Sequence, residues 1–239
     1  MKDGDVTAAT MIPDHLRDAY TMGGRVPVTH WWFDDSQATP SPDYTPERFA
    51  AFRAAARRRA TGYYGATDAW LYQALDGFPL RGQDVLVFGS TLPWYEAIAL
   101  EFGAGRATVV EYGARTSPHP GLAYRTPAGL GDAPFDCALA ISSFEHDGLG
   151  RYGDPLNPDG DLAAMAQARR NLVPGGLLYL AVPVGADTLF WNANRVYGRL
   201  RLPLLLDGWT IVAAFGFARG DCRRSPLDHH QPVFVLRNG

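Results

Sequence analysis

From Val85 to Leu236 short β-rich runs alternate with helical patterns, and this alternation constrains the fold more than any other feature of the chain. Parallel strands cannot be joined by tight turns and need crossovers, which helices supply with a fixed right hand. The pattern predicts strands at Val85–Phe88, Ala107–Glu111, Leu122–Arg125, Asp136–Ile141, Leu177–Val182, Trp209–Phe217 and Val233–Leu236, with helices near Tyr95–Phe102, Asp161–Leu172 and Leu189–Leu200. Seven strands with three or more crossovers specify an α/β doubly wound, mostly parallel sheet. Ahead of them the text reads as a helical cap or lid. A short helix is expected at Pro13–Tyr20, and a longer one starts with Thr45 as N-cap and Pro46 in the first turn and stops at Gly62. Another helix is expected from Ala66 to Leu75. The division expected is residues 1–80 for the cap and 81–239 for the sheet domain.

Composition removes several classes of function. A net charge of −3, with Lys2 the only lysine, gives no basic stripe for nucleic acid. The run Arg57-Arg58-Arg59 reads as the solvated end of a helix, where cations suit the dipole. Cys137 and Cys222 make neither a disulfide framework nor a zinc spacing. No apolar run approaches the roughly 18 residues of a membrane span, and the N-terminus has no apolar leader core. The expectation is a cytoplasmic protein with a small-molecule partner, no nucleic acid, no membrane, and room for a homodimer.

The first strand runs into "VLVFGSTLPWYE", Val85 to Glu96. Ligands of doubly wound sheets bind beyond the carboxyl ends of the strands, where the first turn lies. Only Gly89 survives of a glycine-rich turn, and Pro93 removes an amide, so a dinucleotide pyrophosphate fits poorly. S-Adenosylmethionine carries no phosphates and asks less. Glu111 ends the second strand about 20 residues on, where an acid accepts hydrogen bonds from ribose hydroxyls. The solvated surface reading of Glu111 stands beside this one.

Two further stretches, "FDCALAISSFEH" and "ARRNLVPGGLLYLAVP", resemble the fourth strand and the Pro-Gly-Gly passage into the fifth strand of class I S-adenosylmethionine-dependent methyltransferases. "PSPDYTPER", "TVVEYG", "ISSFEHDGLGRYGDPLNPDGDLAAM" and "LFWNANRVYGRLRLPLLLDGW" resemble more narrowly a domain-of-unknown-function family grouped with them. The resemblance implies a methyltransferase-like Rossmann fold and S-adenosyl-L-methionine as cofactor. It sets the cofactor against Gly89, Ser90, Thr91, Glu111, Tyr112, Ser142 and Ser143. The function it implies is O- or N-methylation of a small polar metabolite in biosynthesis. Cyclisation or aminocarboxypropyl transfer with the same cofactor, or a non-catalytic scaffold, are the alternatives. A turn filled by the Leu92 and Trp94 side chains would favour the scaffold.

The loop from Ser142 to Asp161 holds the densest chemical vocabulary. His146 is the candidate general base, because an imidazole is the side chain suited to proton uptake near neutral pH. Glu145 or Asp147 would orient it, and Tyr152 or Asp147 would replace it. Arg151 is placed on a substrate carboxylate or phosphate, with a tie to Asp154 as the plain alternative. Asp159 and Asp161 read as a turn and helix cap. Trp94 is placed near substrate or cofactor, or else in the core. Asn192 and Arg195 are placed on the substrate, against a solvated helix face for Arg195. No two ligands show tight spacing, so no metal is expected. Trp31 and Trp32 are placed in a lid or structural cap.

Overall fold

Val85 and Val87 on one side of the first strand, and Leu86 and Phe88 on the other, are all buried, and they enter two separate apolar clusters. A strand apolar on both faces belongs at the centre of a sheet covered on both sides. The computed structural model describes residues 9–30, 33–34, 44–111, 115–131 and 134–239. In chain order these form α1 (Asp14–Tyr20), β1 (Val28–Thr29), α2 (Pro46–Arg57), α3 (Ala66–Gly77), β2 (Asp84–Phe88), α4 (Trp94–Glu101), β3 (Arg106–Val110) and β4 (Leu122–Arg125). They continue as α5 (Pro127–Leu130), β5 (Phe135–Ile141), α6 (Gly160–Asn171), β6 (Leu172–Ala181), β7 (Thr188–Phe190), β8 (Asn194–Val196), α7 (Arg201–Leu205), β9 (Trp209–Phe215) and β10 (Val233–Asn238).

The large sheet has the order β4-β3-β2-β5-β6-β10-β9, with β10 antiparallel to both neighbours and the remaining pairs parallel. This is the doubly wound, methyltransferase-like Rossmann arrangement, and its strand order reverses between β2 and β5. Helices α2, α3 and α4 cover one face: Phe49, Ala56, Leu71, Leu75 and Ile98 share a core with Val85, Val109, Tyr179 and Val235. On the other face Met165, Ala168 and Leu205 pack on Leu86, Ala138, Leu180 and Phe234. The helices expected as a cap therefore include two that complete the sheet's own core. Thr45 caps α2 by accepting from the Arg48 N–H at 3.2 Å, and Pro46 opens it. Arg57 and Arg59 pair with Glu101 (2.9 Å) and Asp76 (2.5 Å), as a solvated helix end allows.

Three expectations change. The helix from Pro46 stops at Arg57, short of Gly62, because Arg59 takes a left-handed φ of 56°. The Pro-Gly-Gly stretch is a bulge within β6: Gly175 adopts φ 79°, and the pairing jumps from Phe135↔Leu172 to Cys137↔Leu177. The segment Leu189–Leu200 is a hairpin, β7 and β8, which joins β1 in a small second sheet. Leu189, Ala193, Val196 and Leu200 recur at helical spacing, yet residues 188–193 are buried without exception. An amphipathic surface helix needs a polar side, and aromatic and β-branched content favours a pleated chain. The amides of Leu189 and Trp191 bond to the carbonyls of Pro27 and Thr29, and Ala193 N–H closes the turn on Phe190 at 2.7 Å. Among the described residues no helix is long and apolar enough to cross a membrane.

Candidate functional site

The reversal of strand order opens a crevice at the carboxyl ends of β2, β3 and β5, the expected ligand position in such sheets. A cavity of about 330 Å³ occupies it, lined among others by Gly89, Glu111, Ser143, His146, Asp147 and Tyr152. Ligand pockets run from about 300 to 1,000 Å³. Gly89 sits at φ 61°, and a Cβ there would lie 2.3 Å from Ser143 Oγ. The one glycine kept in the turn is thus the residue that lets β2 and β5 approach at the switch point.

Glu111 leaves β3 into the cavity wall and accepts a hydrogen bond from the Ser90 N–H. Burial pushes its carboxyl above the usual range, while the Ser90 amide and Arg115 oppose the shift. Ser90, Thr91, Ser142 and Ser143 line the same cavity. Tyr112 lies outside the described residues, as do Trp31 and Trp32. Ser142 holds a left-handed φ of 51°, unusual for a residue with a side chain. Its amide donates to Ala181 O at 2.9 Å, its hydroxyl donates to Glu145 Oε1 at 2.7 Å, and Gln231 Nε2 donates to it at 3.1 Å.

His146 lines the cavity with its side chain one-fifth exposed. Nδ1 lies 2.5 Å from the Ala193 carbonyl, which only a protonated Nδ1 can satisfy, so Nε2 carries the lone pair in the neutral ring. The orienting group is this carbonyl of the β7–β8 hairpin, in place of the carboxylates expected. Glu145 Oε1 is 3.7 Å from Nε2, and the Asp147 carboxyl makes no hydrogen bond to the ring among the described residues. Glu145 is fully buried, its Oε2 has no hydrogen-bond partner among the described residues, and burial raises its pKa. Tyr152 stands edge-on to His146 with ring centroids 5.3 Å apart.

The four residues expected on the substrate do not line the cavity. Arg151 pairs with Asp34 at 3.3 Å, whereas Asp154 accepts the amides of Gly148, Gly150 and Tyr152 and shapes the loop. Trp94 turns into the core and donates to Asp68 at 3.0 Å. Asn192 is fully buried and bonds the backbone of Asp34 through both side-chain atoms, at 3.0 and 2.8 Å. Arg195 is buried rather than on a solvated helix face. It donates to the carbonyls of Asp147 (2.7 Å), Pro158 (3.1 Å), Glu145 and Asn157 (both 3.4 Å). Asp159 precedes α6 without a side-chain cap bond. Asp161 is buried against Arg201 at 2.5 Å and accepts from Tyr197 at 3.0 Å; burial would raise its pKa, but Arg195 and Arg201 hold it below the usual carboxylate range.

Three contributors went unread in the sequence. Tyr63 and Tyr64, between glycines ahead of α3, line the mouth of the cavity. Glu96, in the first turn of α4, is wholly buried and accepts from Ser90 Oγ at 2.9 Å; burial pushes its carboxyl up to about 7. Its only signal is an acid in the first turn of a largely apolar helix. Among the described residues no three His, Cys, Asp or Glu side chains converge as a metal site.

Strand order and the crevice at its reversal define a class I methyltransferase-like fold. The family described as "Caenorhabditis protein of unknown function, DUF268" matches residues 130–228, which carry the loop after β5 and the β7–β8 hairpin. Among the solved structures to which the chain is similar are three, each at low identity, that illustrate the likeness. One is the N-methyltransferase NodS from Bradyrhizobium japonicum WM9 in complex with S-adenosyl-L-homocysteine (14% identity, 78% of this chain and 98% of that one, TM-score 0.47). Another is a putative S-adenosylmethionine-dependent methyltransferase from Listeria monocytogenes (13%, 72% and 99%, 0.47). The third is the [4+2]-cyclase SpnF (13%, 83% and 97%, 0.48). No curated protein sequence matches the chain.

Proposed function

We propose that the chain is an S-adenosylmethionine-dependent methyltransferase acting on oxygen or nitrogen of a small polar metabolite. The observation that carries this reading is the cavity at the β2/β5 switch point, lined by Gly89 and Ser90 of the first turn and by Glu111 at the tip of β3. Trp94 is turned into the core, and Leu92 stands in the wall of a cavity that stays open, which supports ligand binding over a scaffold. Gly89, Ser90, Thr91, Ser142 and Ser143 would hold the cofactor, and Glu111 would accept from its ribose hydroxyls. When bound, the cofactor supplies an electrophilic methyl on sulfur.

The chain's residues then position an acceptor and remove its proton. His146 presents Nε2 as base, its tautomer fixed by the Ala193 carbonyl. Tyr152 packs against the imidazole and limits its rotation. Holding acceptor and methyl in line is where most acceleration of such a transfer originates.

Titration calorimetry with S-adenosylmethionine and S-adenosylhomocysteine tests the reading. Wild type binds both. A folded Glu111→Ala variant binds each about tenfold to a hundredfold more weakly, as loss of a charge-assisted hydrogen bond worth ~1.5–3 kcal/mol requires. Absence of binding to wild type, or unchanged affinity in the variant, overturns it.

A further inference from the structure

The cavity wall has an uneven chemistry. Among the described residues it contains three carboxylates, on Glu111, Asp147 and Asp154, and neither an arginine nor a lysine. The residues outside the description carry a single cation, Lys2. The carboxylates differ in what they already hold. Asp154 is satisfied by three backbone amides, and Glu111 accepts from Ser90. The Asp147 carboxyl makes no hydrogen bond or short ion pair among the described residues, although its own carbonyl is held by Arg195. Asp147 is deep in the fold, yet it keeps surface open to the cavity.

Aromatic rings make up much of the rest of the mouth. Tyr63 and Tyr64 stand edge to face at 4.7 Å, Tyr63 reaches Tyr95 at 6.2 Å, and Tyr152 closes on His146 at 5.3 Å. Ring faces attract cations, and a buried carboxylate without a partner is stabilised most by one. An acceptor carrying a carboxylate or phosphate would meet these acids with no arginine or lysine to pair it.

We infer that the acceptor is an amine, drawn in as its ammonium by Asp147 and the tyrosine-lined mouth, and that anionic metabolites are excluded. This rests on the proposed methyltransferase reading and narrows its substrate class. Burial, with Asp154 next and Arg195 opposing, pushes the Asp147 carboxyl well above its ordinary pKa. In the transfer, His146 Nε2 takes one ammonium proton and frees the nitrogen lone pair. The nitrogen then forms the N–C bond as the S–C bond breaks, with that electron pair left on sulfur as a thioether.

The test uses 2-phenylethylamine and 3-phenylpropanoate, matched aromatic probes of opposite charge, titrated into the full chain at pH 7 with saturating S-adenosylhomocysteine. The amine is expected to bind at least about tenfold more tightly, and the isosteric Asp147→Asn variant to bring the ratio near one with S-adenosylhomocysteine affinity unchanged. Equal or tighter binding of the acid by wild type overturns the inference, and needs no variant. An amine preference that survives Asp147→Asn also overturns it, as does a variant that loses S-adenosylhomocysteine instead, because Asp147 would then serve the cofactor's own ammonium. Should wild type fail to bind S-adenosylhomocysteine, the methyltransferase reading falls, and the amine-to-acid ratio of the free protein still decides the cavity's charge preference.

Discussion

Gly89→Ala probes the crevice directly. The new Cβ would sit 2.3 Å from Ser143 Oγ and 3.0 Å from Ser143 Cβ, on a backbone at φ 61°. The left-handed backbone costs a residue with a Cβ about 1–2 kcal/mol. Crowding of a packed site adds roughly 1–3 kcal/mol. The two contributions can be separated, because Ser143→Gly removes both clashing atoms and leaves the backbone term. Urea unfolding of the four proteins in this cycle is therefore expected to show Gly89→Ala destabilised by about 2–5 kcal/mol, with only the 1–2 kcal/mol backbone part remaining on the Ser143→Gly background. A loss below about 0.5 kcal/mol, or no coupling between the two positions, would refute the argument that Gly89 is kept for the approach of β2 to β5.

His146→Ala is expected to cut turnover by about 100- to 10,000-fold with S-adenosylhomocysteine affinity unchanged, read by initial rates and calorimetry on an amine acceptor. Glu96 makes stability pH-dependent: its folded pKa of about 7 lies above the ordinary 4.5, so its contribution is full below about pH 4.5 and is lost as pH rises through 7. Glu96→Gln should remove about 3 kcal/mol of that decline between pH 5 and 8 in urea titrations, and parallel profiles for variant and wild type would contradict it. Arg195→Met is expected to cost about 3–5 kcal/mol, since it strips four loop carbonyls and a partner of Asp161, and near-wild-type unfolding would reject this structural role.

The large sheet was legible because its central strands are buried on both faces and its runs are punctuated by glycine and proline; the edge strand Leu122–Arg125 matches residue for residue, and other strand ends move by one to a few positions. The hairpin at Thr188–Val196 was not, because nearly every residue is buried, so the helical spacing of Leu189, Ala193, Val196 and Leu200 does not separate helix from strand. The same limit governs the site. Gly89 and Glu111 directly follow strand ends and His146 lies a few residues beyond one, where local sequence fixes position. Arg151, Asn192 and Arg195 are polar residues whose partners, Asp34 and the loop carbonyls, are distant in sequence, so their type announced hydrogen bonding without saying to what. Glu96 was missed because an acid at a helix start ordinarily serves the dipole, whereas here it faces Ser90.

The guanidinium of Arg195 grips the chain at 145, 147, 157 and 158, both ends of the excursion that follows β5. Such a clasp makes the conformational entropy of that excursion a cost of folding and not of binding, so a ligand meets a wall already set. Amide exchange in the unliganded protein should then be slow at Gly148 and Gly150, whose N–H groups are held by Asp154, and the ordering that accompanies ligand entry should be confined to the exposed rim at Tyr63 and Tyr64. New acceptor preferences would accordingly be reached through substitutions at that rim, while changes within the clasped loop would be felt first as instability.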